Sequence, residues 1–248
     1  MGDRPVIVVT GASRGIGAAV ALAAAPTHDV VVNYVASATA AESLADDLRA
    51  LGSDVLVACA DVGDERAVVD MFASVDEHYG RLDSLVNNAG IAGGYGTLDV
   101  IDATMLQRLW AVNITGPFVC AREAATRMRT DRGGHGGSIV NISSKAAVLG
   151  GTGEWVHYAA SKGAVDTMTI GLAKELAPFG VRVNGVRPGL IESDFHLHAP
   201  DGRLERMAPM IPMQRAGSPA EVAAAVMWLA SDAASYATGT FIDVTGGR

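Results

Sequence analysis

Seven short runs of apolar, mostly β-branched residues punctuate the chain: "VIVVT" (6–10), "VVVNY" (30–34), "DVLVACA" (54–60), "SLVNN" (84–88), "SIVNIS" (138–143), "VRVNGV" (181–186) and "TFIDV" (240–244). They are apolar nearly throughout, without strict alternation, which is the mark of strands buried on both faces. Between them, longer alanine-rich stretches predict helices over 15–25, 38–51, 64–79, 99–130, 157–177 and 219–230. Ser218, Pro219 and Glu221 supply a capping box with proline at the first helical position. Strands alternating with helices in this way predict one doubly wound α/β domain over residues 1–248, a seven-stranded parallel sheet with helices on both faces. The glycine-rich "TDRGGHGGS" (130–138) reads as a surface connection, because a strand resumes directly after it.

Composition adds exclusions. Among 248 residues, 49% are hydrophobic and 19% charged, which excludes disorder and leaves ample material for a core. A formal net charge of -8 opposes attraction to phosphate polymers and anionic membranes, so neither a nucleic-acid nor a membrane partner is expected. The first apolar run is too short for a signal-peptide core or a membrane span. Cys59 and Cys120 fall in segments that read as a buried strand and a buried helix, as apolar packing residues suited to a reducing cytoplasm.

Chemistry enters at "VTGASRGIG" (9–17), which follows the first strand and opens the first helix. A glycine turn there can hold a pyrophosphate against free backbone N–H groups and the positive helix end. Gly11, Gly15 and Gly17 depart from the usual G-x-G-x-x-G spacing, so the weight comes from position, beside the switch point of a doubly wound sheet. The second strand ends in Asn33 and Tyr34, with no carboxylate to receive ribose hydroxyls. Arg14 in the turn and Ser37 at the next helix would meet a 2′-phosphate instead, which favours NADP, with NAD also admissible. Asp61, after the third strand, either accepts from an adenine amine or caps the following helix.

Tyr158 and Lys162 stand four apart and share one face of a helix. An ammonium about 4 Å from a phenol contributes roughly 4 kcal/mol at an effective dielectric of about 20, which would bring the phenol towards ionisation near neutral pH. Such a phenol can exchange a proton with an alcohol or carbonyl during hydride transfer. Ser143 and Ser144 end the fifth strand at its carboxyl side, where open α/β sheets build their sites and a hydroxyl can donate to a developing oxyanion.

Together, "TGASRGIG", "NNAG" (87–90), "AVNITG" (111–116), "VNISS" (140–144), "YAASK" (158–162) and "VRPG" (186–189) resemble the short-chain dehydrogenase/reductase family over essentially the full chain. The resemblance implies a Rossmann-type fold and hydride transfer between NAD(P) and an alcohol or carbonyl carbon. It makes Tyr158 the general acid/base and has Lys162 hold ribose hydroxyls while lowering the tyrosine's pKa. Ser144 would polarise the substrate oxygen, and Asn113 would anchor a water in a proton relay. The implied cofactor contacts are Gly11, Ser13, Arg14, Gly15, Ile16 and Gly17 in the turn, then Asn33, Tyr34 and Ser37. Asp61 and Val62, Asn88, Ala89 and Gly90, and Pro188, Gly189, Ile191 and Ser193 complete them, with Tyr158 and Lys162 themselves.

From Ser144 to Tyr158 is fourteen positions where the family commonly has thirteen, so Trp155 and His157 are expected to line the substrate mouth differently, Trp155 with packing as an equal alternative. Residues 190–217, without core periodicity, read as a substrate lid. His196 and His198 lack the cysteine or carboxylate company of a zinc site, so no metal is expected. Relatives of this kind include 3-oxoacyl-carrier-protein reductases and glucose dehydrogenases. Arg127, Arg129 and Arg132 could dock an acidic carrier, but Phe179 stands where fatty-acid-synthesis reductases tend to place arginine, which favours a small free carbonyl or alcohol substrate. A non-catalytic NADP redox sensor would show a broken tetrad, and all four residues are intact. The resemblance also implies a homotetramer built on the helices near 99–130 and 157–177.

Overall fold

The structure, a computed structural model, describes residues 4–193 and 201–248. Strands β1 (Val6–Val9), β2 (Asp29–Tyr34), β3 (Val55–Cys59), β4 (Ser84–Asn87), β5 (Gly137–Ile142), β6 (Val181–Pro188) and β7 (Phe241–Val244) form one sheet in the order β3-β2-β1-β4-β5-β6-β7. Every pairing is parallel, with Val8 opposite both Val31 and Leu85. Order therefore runs outward in both directions from β1 and β4, and the crevice at their carboxyl ends is the switch point.

Successive strand residues feed opposite layers. Val6 and Val8 join a core with Phe72, Cys120, Met128 and Leu176, while Ile7 and Val9 join one with Val20, Leu48, Val226 and Leu229. The first layer is covered by α3 (Glu65–Tyr79), α5 (Gly116–Met128) and α7 (Val156–Leu176), the second by α1 (Gly15–Ala24), α2 (Ala38–Ala50) and α9 (Pro219–Ala230). Three shorter helices, α4 (Ala103–Trp110), α6 (Ala146–Leu149) and α8 (Arg203–Met207), lie in the loops at the carboxyl edge. The capping box at Ser218 forms as the sequence predicts. No described helix is long and apolar enough to cross a membrane.

Two expectations change. The single helix over 99–130 is divided: a 3₁₀ turn at Leu98–Val100, α4 capped by Asp102, a π-helical stretch at Ala111–Thr115, then α5. Pro117 stands four residues after Asn113 and has no N–H to give its carbonyl, so the helical ladder shifts register there. Cys59 lies on β3, the edge strand, and is exposed; Cys120 is buried as expected. His196 and His198 lie outside the described residues.

Gly17 fixes how α1 docks on the turn that precedes it. A Cβ there would sit 2.5 Å from the Gly11 carbonyl oxygen and 2.6 Å from Asn88 Nδ2. Gly17→Ala is expected to displace the turn and cost about 1–3 kcal/mol, read as a lower urea midpoint.

Candidate active site

A cavity of about 780 Å³ runs along the carboxyl edge of the sheet, from the glycine turn and Tyr34 to Trp155, Tyr158, and Arg203 and Met207 of α8. At one end the turn is shaped by its own backbone. Gly11 and Gly15 take left-handed φ values of 61° and 59° that an L side chain rarely adopts. Asn33, fully buried, accepts from Gly11 N at 3.0 Å and donates to the carbonyls of Ala58 and Ala60. It thus braces the turn from behind and does not line the cavity; nor does Gly17, whose role is close packing. Thr10, unmarked by any sequence pattern, accepts from the N–H groups of Asn88 and Ala89, and Asn88 Nδ2 returns hydrogen bonds to Thr10 O and Gly11 O. The two loops are therefore one unit.

Ser13, Arg14, Gly15, Ile16, Tyr34, Ser37, Asp61, Val62, Asn88, Ala89 and Gly90 line this half of the cavity as expected. Asp61 is not the cap of α3, since Asp64 accepts from Arg66 N and Ala67 N there. Its carboxylate instead turns the chain at Gly63 N and pairs with Arg108 at 2.8 Å, a cavity-lining cation that nothing in the sequence pattern marked. Ser37 stands at the N-cap of α2 with its hydroxyl not spent on the helix, and no acidic residue occupies the first turn.

At the other end Tyr158 and Lys162 project from the first two turns of α7, with Pro188, Gly189, Ile191 and Ser193 opposite. Ser193 Cβ lies 3.9 Å from where a side chain on Gly15 would begin, so both halves face one space. The Ser144 hydroxyl donates to the Tyr158 oxygen and accepts from Ala146 N at 3.1 Å. Lys162 is 4% exposed, and its ammonium donates to the Ile142 carbonyl at 2.7 Å. A Cβ on Gly90 would lie 3.6 Å from Lys162 Nζ and 3.4 Å from Asn113 Oδ1, ordinary contact distances, so this residue borders both. Asn113, on the π-helical stretch, clasps Ile91 through N–H and C=O at 2.9 Å each and donates to Ser161 at 3.1 Å.

The electrostatics differ from the simple ion–phenol pair expected. Lys162 Nζ is 5.7 Å from the Tyr158 ring centroid. Burial pushes the phenol up to about 12, outweighing the Ser144 donation, and pushes Lys162 down to about 8, with Asp166 pulling the other way. Trp155 both packs and lines the cavity, edge-on to Tyr95 with Arg203 over its ring at 4.8 Å. His157 does not line it: the ring is buried against the Gly93 loop.

A family model described as "Enoyl-(Acyl carrier protein) reductase" matches residues 11–248. An uncharacterized Escherichia coli oxidoreductase, YgfF, is 48% identical over 98% of this chain and 99% of its own. Versicolorin reductase stcU of Emericella nidulans is 39% identical over 99% of this chain and 96% of its own. A solved short-chain dehydrogenase from Burkholderia cenocepacia, in complex with NADP, superposes with a TM-score of 0.90 at 34% identity, covering 98% of this chain and 97% of that one. The chain belongs to the short-chain dehydrogenase/reductase family, NAD(P)-dependent oxidoreductases.

Lowering Lys162 from 10.5 to about 8 is a stability statement: below about pH 8 both folded and unfolded chains carry the proton and the burial penalty is full. Between about 8 and 10.5 only the unfolded chain holds it, so stability rises with pH. Lys162→Met is therefore expected to be more stable than wild type at pH 7, by up to about 3 kcal/mol, with the gap closing towards pH 10 in urea unfolding.

Proposed function

We propose that the chain is an NADP(H)-dependent reductase or dehydrogenase of a small carbonyl or secondary alcohol, with Tyr158 as general acid/base. The observation that carries this reading is the convergence of Ser144, Tyr158 and Lys162 on a cavity whose other end is the glycine turn. Bound there, the nicotinamide would supply or accept the hydride. Ser144 and Tyr158 hold the substrate oxygen between two hydroxyls. A phenol that stays protonated to about 12 donates to the oxygen as the carbonyl is reduced and retrieves the proton in the reverse direction. Lys162, fixed on Ile142 O, adds positive charge on the side of that proton and would hold the cofactor ribose hydroxyls. Asn113 holds Ile91 and Ser161 together and so keeps the proton-relay side of the site in register.

NADP is favoured by Arg14 and Ser37, both on the cavity at the end of β2, where the N-terminus of α2 adds its free N–H groups. The NADP complex of the Burkholderia relative points the same way. Carrier-protein docking through the arginines near 130 is disfavoured: Arg127 is paired with Asp76 and Glu123, and Arg129 lies over Phe179 at 3.8 Å while pairing with Asp131. Residues 190–217 serve as the lid, since Leu190, Ile211 and Ala216 form a small core of their own with Leu204 and Met207 packed on it. Exposed Trp110, Phe118 and Ile170, with open space at Gly163 and Gly171 on α7, support a homotetramer through α4, α5 and α7; a monomer in sedimentation would remove that assignment. Two free thiols, one of them exposed, suit a cytoplasmic location.

Nicotinamide absorbance at 340 nm with aldehydes, diketones, quinones and sugars tests the reading. Tyr158→Phe is expected to lose at least about 10²-fold in kcat, and Arg14→Ala combined with Ser37→Ala to lose about 10-fold in kcat/KM with NADPH but little with NADH. Unchanged turnover by Tyr158→Phe would overturn the mechanism.

A further inference from the structure

Behind Tyr158 and Lys162 lies a chain of charged groups, buried at Asp166 and partly exposed towards Asp243, that the mechanism above does not use. Asp166 follows Lys162 by four residues on α7, so the two share a face of the helix, and Asp166 is only 8% exposed. Both carboxylate oxygens are committed. Ser143 Oγ donates to Oδ1 at 2.6 Å, and Arg187 Nε donates to Oδ2 at 3.0 Å. Arg187 lies over the Phe241 ring at 3.9 Å and reaches Asp243 at 3.6 Å, and Asp243 in turn accepts from Lys145 Nζ at 2.7 Å. The chain thus ties the ends of β5, β6 and β7 to the catalytic helix.

We propose that Asp166 is a positioning residue of this active site: its carboxylate fixes Ser143, and with it the strand end that carries Ser144, and it supplies the negative charge that keeps Lys162 an ammonium. The inference rests on the reading of Tyr158 and Lys162 given under the proposed function. Ser143 has no place on the substrate oxygen if its proton is given to Asp166, yet it is bonded covalently to the serine that does. Its N–H donates to Val186 O at 2.9 Å, so backbone and side chain are both held. Burial disfavours the ammonium of Lys162, and Asp166 is the counter-charge that acts on it. The groups around Lys162 are few. Tyr158 and Asp166 face it from α7, Ile142 O from β5 and the neutral Asn113 from the π-helical stretch; Arg187 on β6 stands beyond Asp166, followed by Asp243 on β7 and Lys145.

Two substitutions are expected to act with opposite sign. Asp166→Asn removes the negative charge at nearly constant shape, and Arg187→Gln removes the cation that partly cancels it. The chain has three lysines, 145, 162 and 174, so ¹⁵N-lysine NMR resolves the Lys162 Nζ titration directly, assigned by its loss in Lys162→Met. Its midpoint is expected to fall by about one pH unit in Asp166→Asn and to rise by a smaller step in Arg187→Gln. The basic limb of kcat for carbonyl reduction should move in the same directions. Midpoints unchanged in both variants, with rates lowered by one factor at every pH, would reduce Asp166 to a packing role and overturn the inference. If Asp166→Asn does not fold, Arg187→Gln decides alone: an upward midpoint supports the inference, an unchanged or lower one sinks it. Full activity in Lys162→Met or Tyr158→Phe would instead sink the underlying mechanism, leaving the NMR result to speak for the electrostatics separately.

Discussion

An ammonium held almost out of water, as Lys162 is, must be given hydrogen-bond acceptors and a counter-charge by the structure around it, or it will lose its proton or pull the helix apart. Here the acceptor is the last carbonyl of β5 and the counter-charge is one helical turn away at Asp166. The surrounding departures from regular structure follow from making that arrangement fit. Gly90 borders the space that Lys162 Nζ and Asn113 share. The π-helical stretch brings Asn113 across to Ile91 and Ser161, closing the wall opposite the phenol. The penalty carried by Lys162 is thus located in the residues that line the cavity beside Tyr158, a form of strain that a purely structural helix would have no reason to keep.

The cofactor half of the cavity obeys a different constraint. It is built from backbone, so its shape depends on groups that hold the backbone still. Asn33 spends its whole amide on Gly11, Ala58 and Ala60, while Thr10 and Asn88 exchange hydrogen bonds with each other's loops. The N–H groups of Gly11 and Ala12 are spent on Asn33, which leaves those of the first turn of α1, at Gly15 and Ile16, for the cavity, and these are what a pyrophosphate needs. A single buried asparagine therefore links the end of β2 to the turn after β1, and rigidity here comes from hydrogen bonds more than from apolar packing.

Most of the architecture was legible because strand burial and helix periodicity are local. All seven apolar runs became strands and the parallel order followed, since βαβ units leave few alternatives. Tyr158, Lys162 and Ser144 were legible as a set because each sits at a position the fold treats as special. What escaped were partnerships across the sequence. Asn33 looked like a ligand contact because it ends β2, but its side chain points to the partners that three separate segments supply. Asp61 could not be told from a cap until Arg108, 47 residues on, was placed beside it. Cys59 read as interior because β3 is apolar, and only the sheet order shows that β3 is an edge. The phenol's pKa was misjudged for a related reason: spacing on a helix gives the neighbour, while burial is a property of the whole fold, and here burial is the larger effect.

Substrate choice is separable from this machinery, but not fully. The segment around α8 has a small core of its own, formed by Leu190, Ile211 and Ala216, and Ile191 and Gly217 pair at its base, so it can change sequence without disturbing the sheet. One connection crosses the boundary. Arg203 of α8 pairs with Glu154 at 2.6 Å and lies over Trp155, and Trp155 is the N-cap of the helix that presents Tyr158 three residues later. Glu154 lies in the loop between Ser144 and Tyr158, so this loop makes the contact with α8. A displacement of α8 would therefore be felt at the first turn of α7, so the position of α8 and the orientation of Tyr158 share one tryptophan.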